Sequence, residues 1–191
     1  MKRLYFKYGV MGSSKSAQAL MTAFNYTQKG YNVLLTKPKV DTREKESVIK
    51  SRIGLKAACH TFDKDTNLVQ FVKSFPGTQV VIVDEVQFCT KAQIDQLKEL
   101  TLADTTVLCY GLKTNFKSEL FEGSKRLLEI AESIQEIKAV CRCGAKATIN
   151  ARIVDGQVVT SGKSIQIGGD EKYEAMCYAC WKKYQHEKLV K

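Results

Sequence analysis

The segment Gln79-Val80-Val81-Ile82-Val83-Asp84-Glu85 constrains this chain more than any other. A strand with one face in water alternates apolar and polar side chains, whereas a strand covered on both faces does not. Four consecutive β-branched residues therefore predict a central strand of a parallel sheet with helices on both faces. Its two carboxylates fall at the carboxyl end, where open α/β sheets hold their ligands. The flanking text agrees. Residues 3–8, 31–36 and 105–110 read as further strands, and 57–61 as a short one. Ala17, Leu20, Met21 and Phe24 have helical spacing, with a stop at Gly30, and Ile94, Leu97 and Leu100 mark a second helix. Residues 66–74 predict another helix, and the polar residues 39–54 a loop. The order βαβ…βαβ implies an α/β layered fold with right-handed crossovers.

Past residue 138 the character changes to cysteine pairs, short β-like pieces at 147–154 and 157–160, and a final helix at 178–189. The expected division is a nucleotide-binding α/β domain at 1–138 and a small domain at 139–191. No stretch approaches the ~20 apolar residues of a membrane helix, and no apolar leader is visible. A cytoplasmic protein with no membrane partner is expected. Thirty Lys and Arg against twenty Asp and Glu give a net charge of +10, which favours polyanions. The basic residues are dispersed, so no nucleic-acid tail and no nucleic-acid partner is expected.

The turn after the first strand reads Gly9-Val10-Met11-Gly12-Ser13-Ser14-Lys15-Ser16. A phosphate loop asks for Gly, four residues, Gly, Lys and Ser/Thr, so only Ser14 departs from it. If position 14 needs φ > 0, its Cβ costs roughly 1–2 kcal/mol. In such a loop the amides at the helix start face phosphates, Lys15 binds the β- and γ-phosphates of ATP, and the Ser16 hydroxyl ligates Mg²⁺. Asp84 then reads as the second Mg²⁺ residue, and Glu85 as a general base for an alcohol acceptor. The competing readings are an ordinary turn with a surface lysine and a solvated acid pair. Phe88, Phe116 and Phe121 follow strand ends on the same edge and offer flat walls for a nucleobase, or simply core packing.

Seven cysteines divide into two groups. Cys59, Cys89 and Cys109 stand singly in or beside apolar runs and read as small core residues. Cys141-Arg-Cys143 and Cys177-Tyr-Ala-Cys180 have the short intervals of a four-thiolate zinc site, all positions closed and therefore structural. Free thiols or a redox pair are the alternatives. The Gly/Ser-bearing stretch 161–169 between the pairs suits a lid closing over a ligand with its backbone.

The motifs Gly-Val-Met-Gly-Ser-Ser-Lys-Ser (9–16), Asp-Thr-Arg (41–43), Val-Asp-Glu-Val-Gln-Phe (83–88), Tyr-Gly-Leu-Lys-Thr-Asn-Phe (110–116), Glu-Leu-Phe-Glu-Gly-Ser (119–124), Cys-Arg-Cys-Gly-Ala-Lys-Ala (141–147), Ile-Gly-Gly-Asp-Glu-Lys-Tyr (167–173) and Cys-Tyr-Ala-Cys (177–180) run in order over nearly the whole chain. Together they closely resemble thymidine kinases of the cellular, zinc-containing type. The resemblance implies a P-loop, RecA-like sheet and a zinc domain with a lasso loop. It makes Glu85 the catalytic base. It assigns Gly9, Val10, Met11, Gly12, Ser13, Ser14, Lys15 and Ser16, with Asp41, Arg43, Asp84 and Gln87, to ATP. Met11, Phe88, Leu112, Phe116, Phe121 and Tyr173 would surround the nucleoside, and the main chain of Ile165, Gln166, Ile167 and Gly168 would bond the thymine. The implied reaction is phosphorylation of the 5′-hydroxyl of thymidine, and of deoxyuridine, by ATP with Mg²⁺ and a structural zinc ion. A homotetramer and feedback inhibition by dTTP are implied with it. The alternative is a P-loop nucleotide-binding regulator, or a nucleic-acid-associated nucleotide hydrolase, with weak or no kinase activity.

Overall fold

The computed structural model describes residues 3–39, 47–162 and 173–189. Six strands make one fully parallel sheet: β1 (Leu4–Tyr8), β2 (Val33–Pro38), β5 (His60–Phe62), β6 (Val80–Val83), β7 (Thr106–Gly111) and β8 (Ser133–Glu136). Their order across the sheet is β5-β2-β6-β7-β1-β8. The predicted central strand β6 thus lies between β2 and β7, and all four of its residues are buried.

The alternation within β6 explains why its sequence does not alternate. Val81 and Val83 join one core with Leu4, Phe6, Val107 and Cys109. That face is covered by α2 (Leu68–Lys73), α3 (Lys91–Leu102) and α4 (Glu122–Ile130), through Leu68, Val72, Ile94, Leu97, Leu100 and Leu127. Val80 and Ile82 join the opposite core with Leu35, Leu108 and Tyr110, under α1 (Lys15–Gln28) through Ala19 and Leu20. Apolar side chains are therefore needed at every position of the strand. Helix α3 begins with a capping box: Thr90 Oγ1 accepts from Gln93 N and Gln93 Oε1 from Thr90 N, each at 3.2 Å.

Several local expectations need correction. The loop expected at 39–54 contains a strand, Val48–Lys50. Strands β3 (Val48–Lys50) and β4 (Lys56–Ala58) form an antiparallel hairpin that packs Ile49, 2 % exposed, into the α1-side core. One anchoring residue in a polar run leaves no period to read. The strand expected at 57–61 is split between β4 and β5. Half of the α1 stripe is exposed, with Met21 at 55 % and Phe24 at 63 %. Helix α4 buries Gly123, Ser124 and Leu127, so its apolar face is confined to its last turns, and β8 is an edge strand with exposed residues and no apolar pattern.

After β8 the chain forms smaller units. β9 (Ala139–Val140) pairs with β10 (Lys146–Ala147), and β11 (Ile149–Val154) lies between β12 (Gln157–Val159) and β13 (Tyr173–Met176). The terminal helix, α5 (Tyr178–Lys183), is shorter than expected. This C-terminal lobe has its own core of Ala147, Ile149, Ala151, Val158, Met176 and Trp181, which Val10 of the β1–α1 loop also enters. Among the described residues no helix is long and apolar enough to cross a membrane.

Candidate active site

The β1–α1 loop forms around close backbone approaches. A Cβ on Gly9 would lie 2.6 Å from the carbonyl oxygen of Ile137 and closer still to the Ser13 hydroxyl. Ser13 N–H donates to Val10 O at 3.2 Å. Ser14 caps α1 with φ 66° and ψ 25°, the left-handed conformation that a glycine adopts without cost. The position does need φ > 0, and this chain meets the need with a serine. The Lys15 ammonium folds back inside the loop and donates to Val10 O at 2.8 Å. Burial lowers the pKa of Lys15, against the pull of the Glu85 and Asp84 carboxylates. The buried Ser13 hydroxyl has no hydrogen-bond partner among the described residues.

The carboxylates lie where β6 ends. Asp84 is 3 % exposed. Burial first, and the Glu85 charge second, push its pKa up to about 6, while hydrogen bonds from the Ser16 side chain and the Glu85 backbone oppose the rise. The Ser16 hydroxyl thus lies close enough to Asp84 to influence its charge, which groups the two sequence-derived Mg²⁺ residues. Glu85 is also left-handed, with φ 54° and ψ 34°, and leads into a 3₁₀ turn, Val86–Phe88. Gln87 fixes that carboxylate: its Nε2 donates to Glu85 Oε2 at 2.5 Å, and its Oε1 accepts from Leu112 N at 3.0 Å. The carboxamide fits there because residue 111 is glycine; a Cβ would stand 2.5 Å from Gln87 Oε1.

These elements enclose a cavity of about 330 Å³. Met11, Gly12, Ser14, Lys15, Ser16, Glu85 and Leu112, all selected from the sequence, line it. Lys50, Ser51, Arg52 and Ile53 of the β3–β4 hairpin complete the wall. Sequence reasoning missed these four, because only the paired hairpin brings them opposite the loop; the basic character of 50–52 was the one available signal. Phe88 and Phe121 pack edge to face at 5.8 Å, beyond the cavity lining. Phe116 is 2 % exposed, with the Arg152 guanidinium 5.4 Å from its ring centre. Tyr173 opens β13, half-buried, and does not line the cavity either. Gly9, Val10, Ser13, Asp84 and Gln87 do not themselves line it. Asp41, Arg43, Ile165, Gln166, Ile167 and Gly168 lie outside the described residues.

In the C-terminal lobe the four predicted ligands do come together. The Sγ atoms of Cys141, Cys143, Cys177 and Cys180 lie within 4.8 Å of one another, Cys143 and Cys177 at 3.6 Å. Thiolates about 2.3 Å from a tetrahedral zinc ion stand about 3.8 Å apart, so the donor set and its spacing fit structural zinc. Cys59, Cys89 and Cys109 are buried, as core residues should be.

The parallel sheet, the glycine-bearing loop before α1 and the buried acid at the end of β6 define an α/β nucleotide-binding protein of the phosphate-loop class. The comparisons sharpen this. Residues 2–181 match the family described as thymidine kinase. The chain is 45 % identical to the thymidine kinase of Novosphingobium aromaticivorans over 182 residues, covering 93 % of this chain and 95 % of that one. It is 40 % identical to that of Rhodopirellula baltica, covering 93 % and 86 %, and 41 % identical to that of Xanthomonas oryzae pv. oryzae, covering 96 % and 90 %. The chain belongs to the thymidine kinase family.

Proposed function

We propose that this protein transfers the γ-phosphoryl group of ATP to the 5′-hydroxyl of thymidine, with deoxyuridine a second acceptor, in nucleotide salvage. The observation that carries this reading is that Lys15 and Glu85, an ammonium and a carboxylate, line one cavity. Glu85 accepts the proton of the 5′-hydroxyl as that oxygen bonds to the γ-phosphorus, the bond to the bridging oxygen breaks, and ADP leaves. Gln87 holds the Glu85 carboxylate in place through Oε2. Lys15 and the amides of Gly12 and residues 14–16 stabilise the charge on the transferring group. Lys50 and Arg52 add positive charge from the opposite wall. Mg²⁺, held by Ser16 and Asp84, would supply Lewis-acid neutralisation of the phosphates.

The same reading assigns Asp41 and Arg43 to the phosphates. It assigns Phe88, Phe116, Phe121 and Tyr173 to the nucleoside side, and Ile165, Gln166, Ile167 and Gly168 to the thymine. It divides the chain at residue 138 and gives zinc the role of pinning the lobe that carries the thymine-binding segment. A homotetramer, inhibition by dTTP and a cytoplasmic location belong to it as well.

The test is to incubate the purified protein with ATP, Mg²⁺ and a panel of nucleosides, following ADP and nucleoside monophosphates. Thymidine-dependent ADP release with equal formation of thymidine 5′-monophosphate is expected. ADP release that ignores the nucleoside would reject the proposal in favour of a hydrolase.

A further inference from the structure

Asn150 sits in β11, inside the C-terminal lobe, and is only 3 % exposed. Its side chain does not serve that lobe. Oδ1 accepts from Met11 N at 2.7 Å, a bond across 139 positions of sequence. Nδ2 donates to Thr114 O at 2.9 Å. One carboxamide therefore joins three segments: β11, the phosphate loop and the loop that follows β7. Met11 and Leu112, one from each of the joined loops, both line the cavity. The Thr114 loop is itself closed by a bridge to Leu120.

Two consequences follow. The Met11 amide points to Asn150 and the Ser13 amide to Val10 O, so the amides left for phosphate are those of Gly12 and of residues 14–16. And the distance between the donor loop and the acceptor-side loop is set by a buried bidentate contact, in surroundings where such a bond is strong and its loss leaves groups unpaired. Transfer between two bound substrates is sensitive to displacements of about 1 Å.

We infer that Asn150 is a positioning residue for phosphoryl transfer, through which the C-terminal lobe sets the spacing between the triphosphate loop and the nucleoside loop. The inference rests on the phosphotransfer reading above. It gives the C-terminal lobe a part in alignment, besides carrying the metal cluster.

The experiment compares the full-length wild type with Asn150→Ala and Asn150→Asp, measuring kcat and KM for both substrates together with thermal unfolding. Asn150→Ala removes both bonds and is expected to lower kcat about tenfold or more and to raise both KM values. Asn150→Asp keeps an oxygen for the Met11 amide but has no donor for Thr114 O. Its KM for thymidine is expected to rise more than its KM for ATP. A merely structural asparagine would lower the unfolding temperature and leave the kinetics of the folded variants alone. Kinetic constants of Asn150→Ala within twofold of wild type would overturn the inference. If that variant does not fold, an unchanged thymidine KM in Asn150→Asp would do the same. A wild type showing no nucleoside-dependent ADP release would instead remove the phosphotransfer reading, and this inference with it.

Discussion

The six-stranded sheet and the C-terminal lobe solve the same problem by different means. The sheet buries two continuous cores, one on each face, with Phe6, Val81, Val83, Ile82 and Tyr110 all fully enclosed. The lobe encloses a handful of side chains, three of them alanine or methionine, and places Cys141 and Cys180 among them. The larger core surrounds the costs found at the cavity, although the lobe also carries one left-handed residue, Asp155 at φ 50°. Ser14 and Glu85 hold left-handed backbones at the cavity, and Lys15 and Asp84 are charged groups kept from water. Strain of this kind persists where the surroundings over-determine it, and it gathers at functional sites. The lobe, with its smaller core, brings four cysteine sulfurs within 4.8 Å of one another, and a metal ion held there would add the stability that its packing lacks.

The largest effect should come from the sheet side. Glu85→Gln is expected to lower kcat by ~10²–10⁴ with the fold intact, as loss of a general base does; undiminished turnover in that variant would end the assignment. The lobe is tested by Cys141→Ser with Cys180→Ser. Hydrogen exchange should then show protection lost in β11 and β12 and kept in β1, β6 and β7. Equal protection of β11 with and without these thiols would mean that the lobe holds together by packing alone, and the contrast between the regions would disappear.

A smaller effect concerns the charge buried at Asp84. Its folded pKa, about 6, lies above the unfolded value of 3.8, so the folded state binds the proton more tightly. Stability should therefore fall as pH rises from about 4 to 6 and stay reduced above that, by roughly 3 kcal/mol in the absence of Mg²⁺. Asp84→Asn should unfold at a higher temperature than wild type at pH 7.5, and at a similar one below pH 4. A gap of the same size at both pH values would show that the buried charge is not its cause. The smallest effect is the strain at position 14. Ser14→Gly is expected to gain about 1 kcal/mol, or about 2–4 °C in Tm. A lowered Tm would mean that the serine side chain contributes more than its backbone costs.

Legibility followed the same division. The strand at 80–83, the loop at 9–16, the acids at 84 and 85 and the two cysteine pairs were all readable, because each rests on a local pattern with a chemical meaning. The family resemblance assigns Gln87 to ATP, and the structure has it bridging Glu85 to Leu112 N. Phe88, Phe116 and Phe121 were grouped by their place after strand ends, yet none of them lines the cavity. A residue's position along a strand edge is local; the direction of its side chain depends on the packing around it.

The sequence by itself determined a parallel sheet, a phosphate-type turn, a carboxylate pair at a strand end and two cysteine pairs with metal-ligand spacing. Each follows from period, spacing or donor chemistry within a few residues. Only the tertiary structure decided that Lys50 and Arg52 face the phosphate loop, that Gln87 braces Glu85, and that Asn150 reaches from the far lobe to Met11 and Thr114. Gln87 reaches Leu112 across 25 residues as it braces Glu85, and Asn150 reaches Met11 across 139. No local preference specifies such pairs; they arise when burial of the cores brings the segments together and leaves polar groups that must find partners.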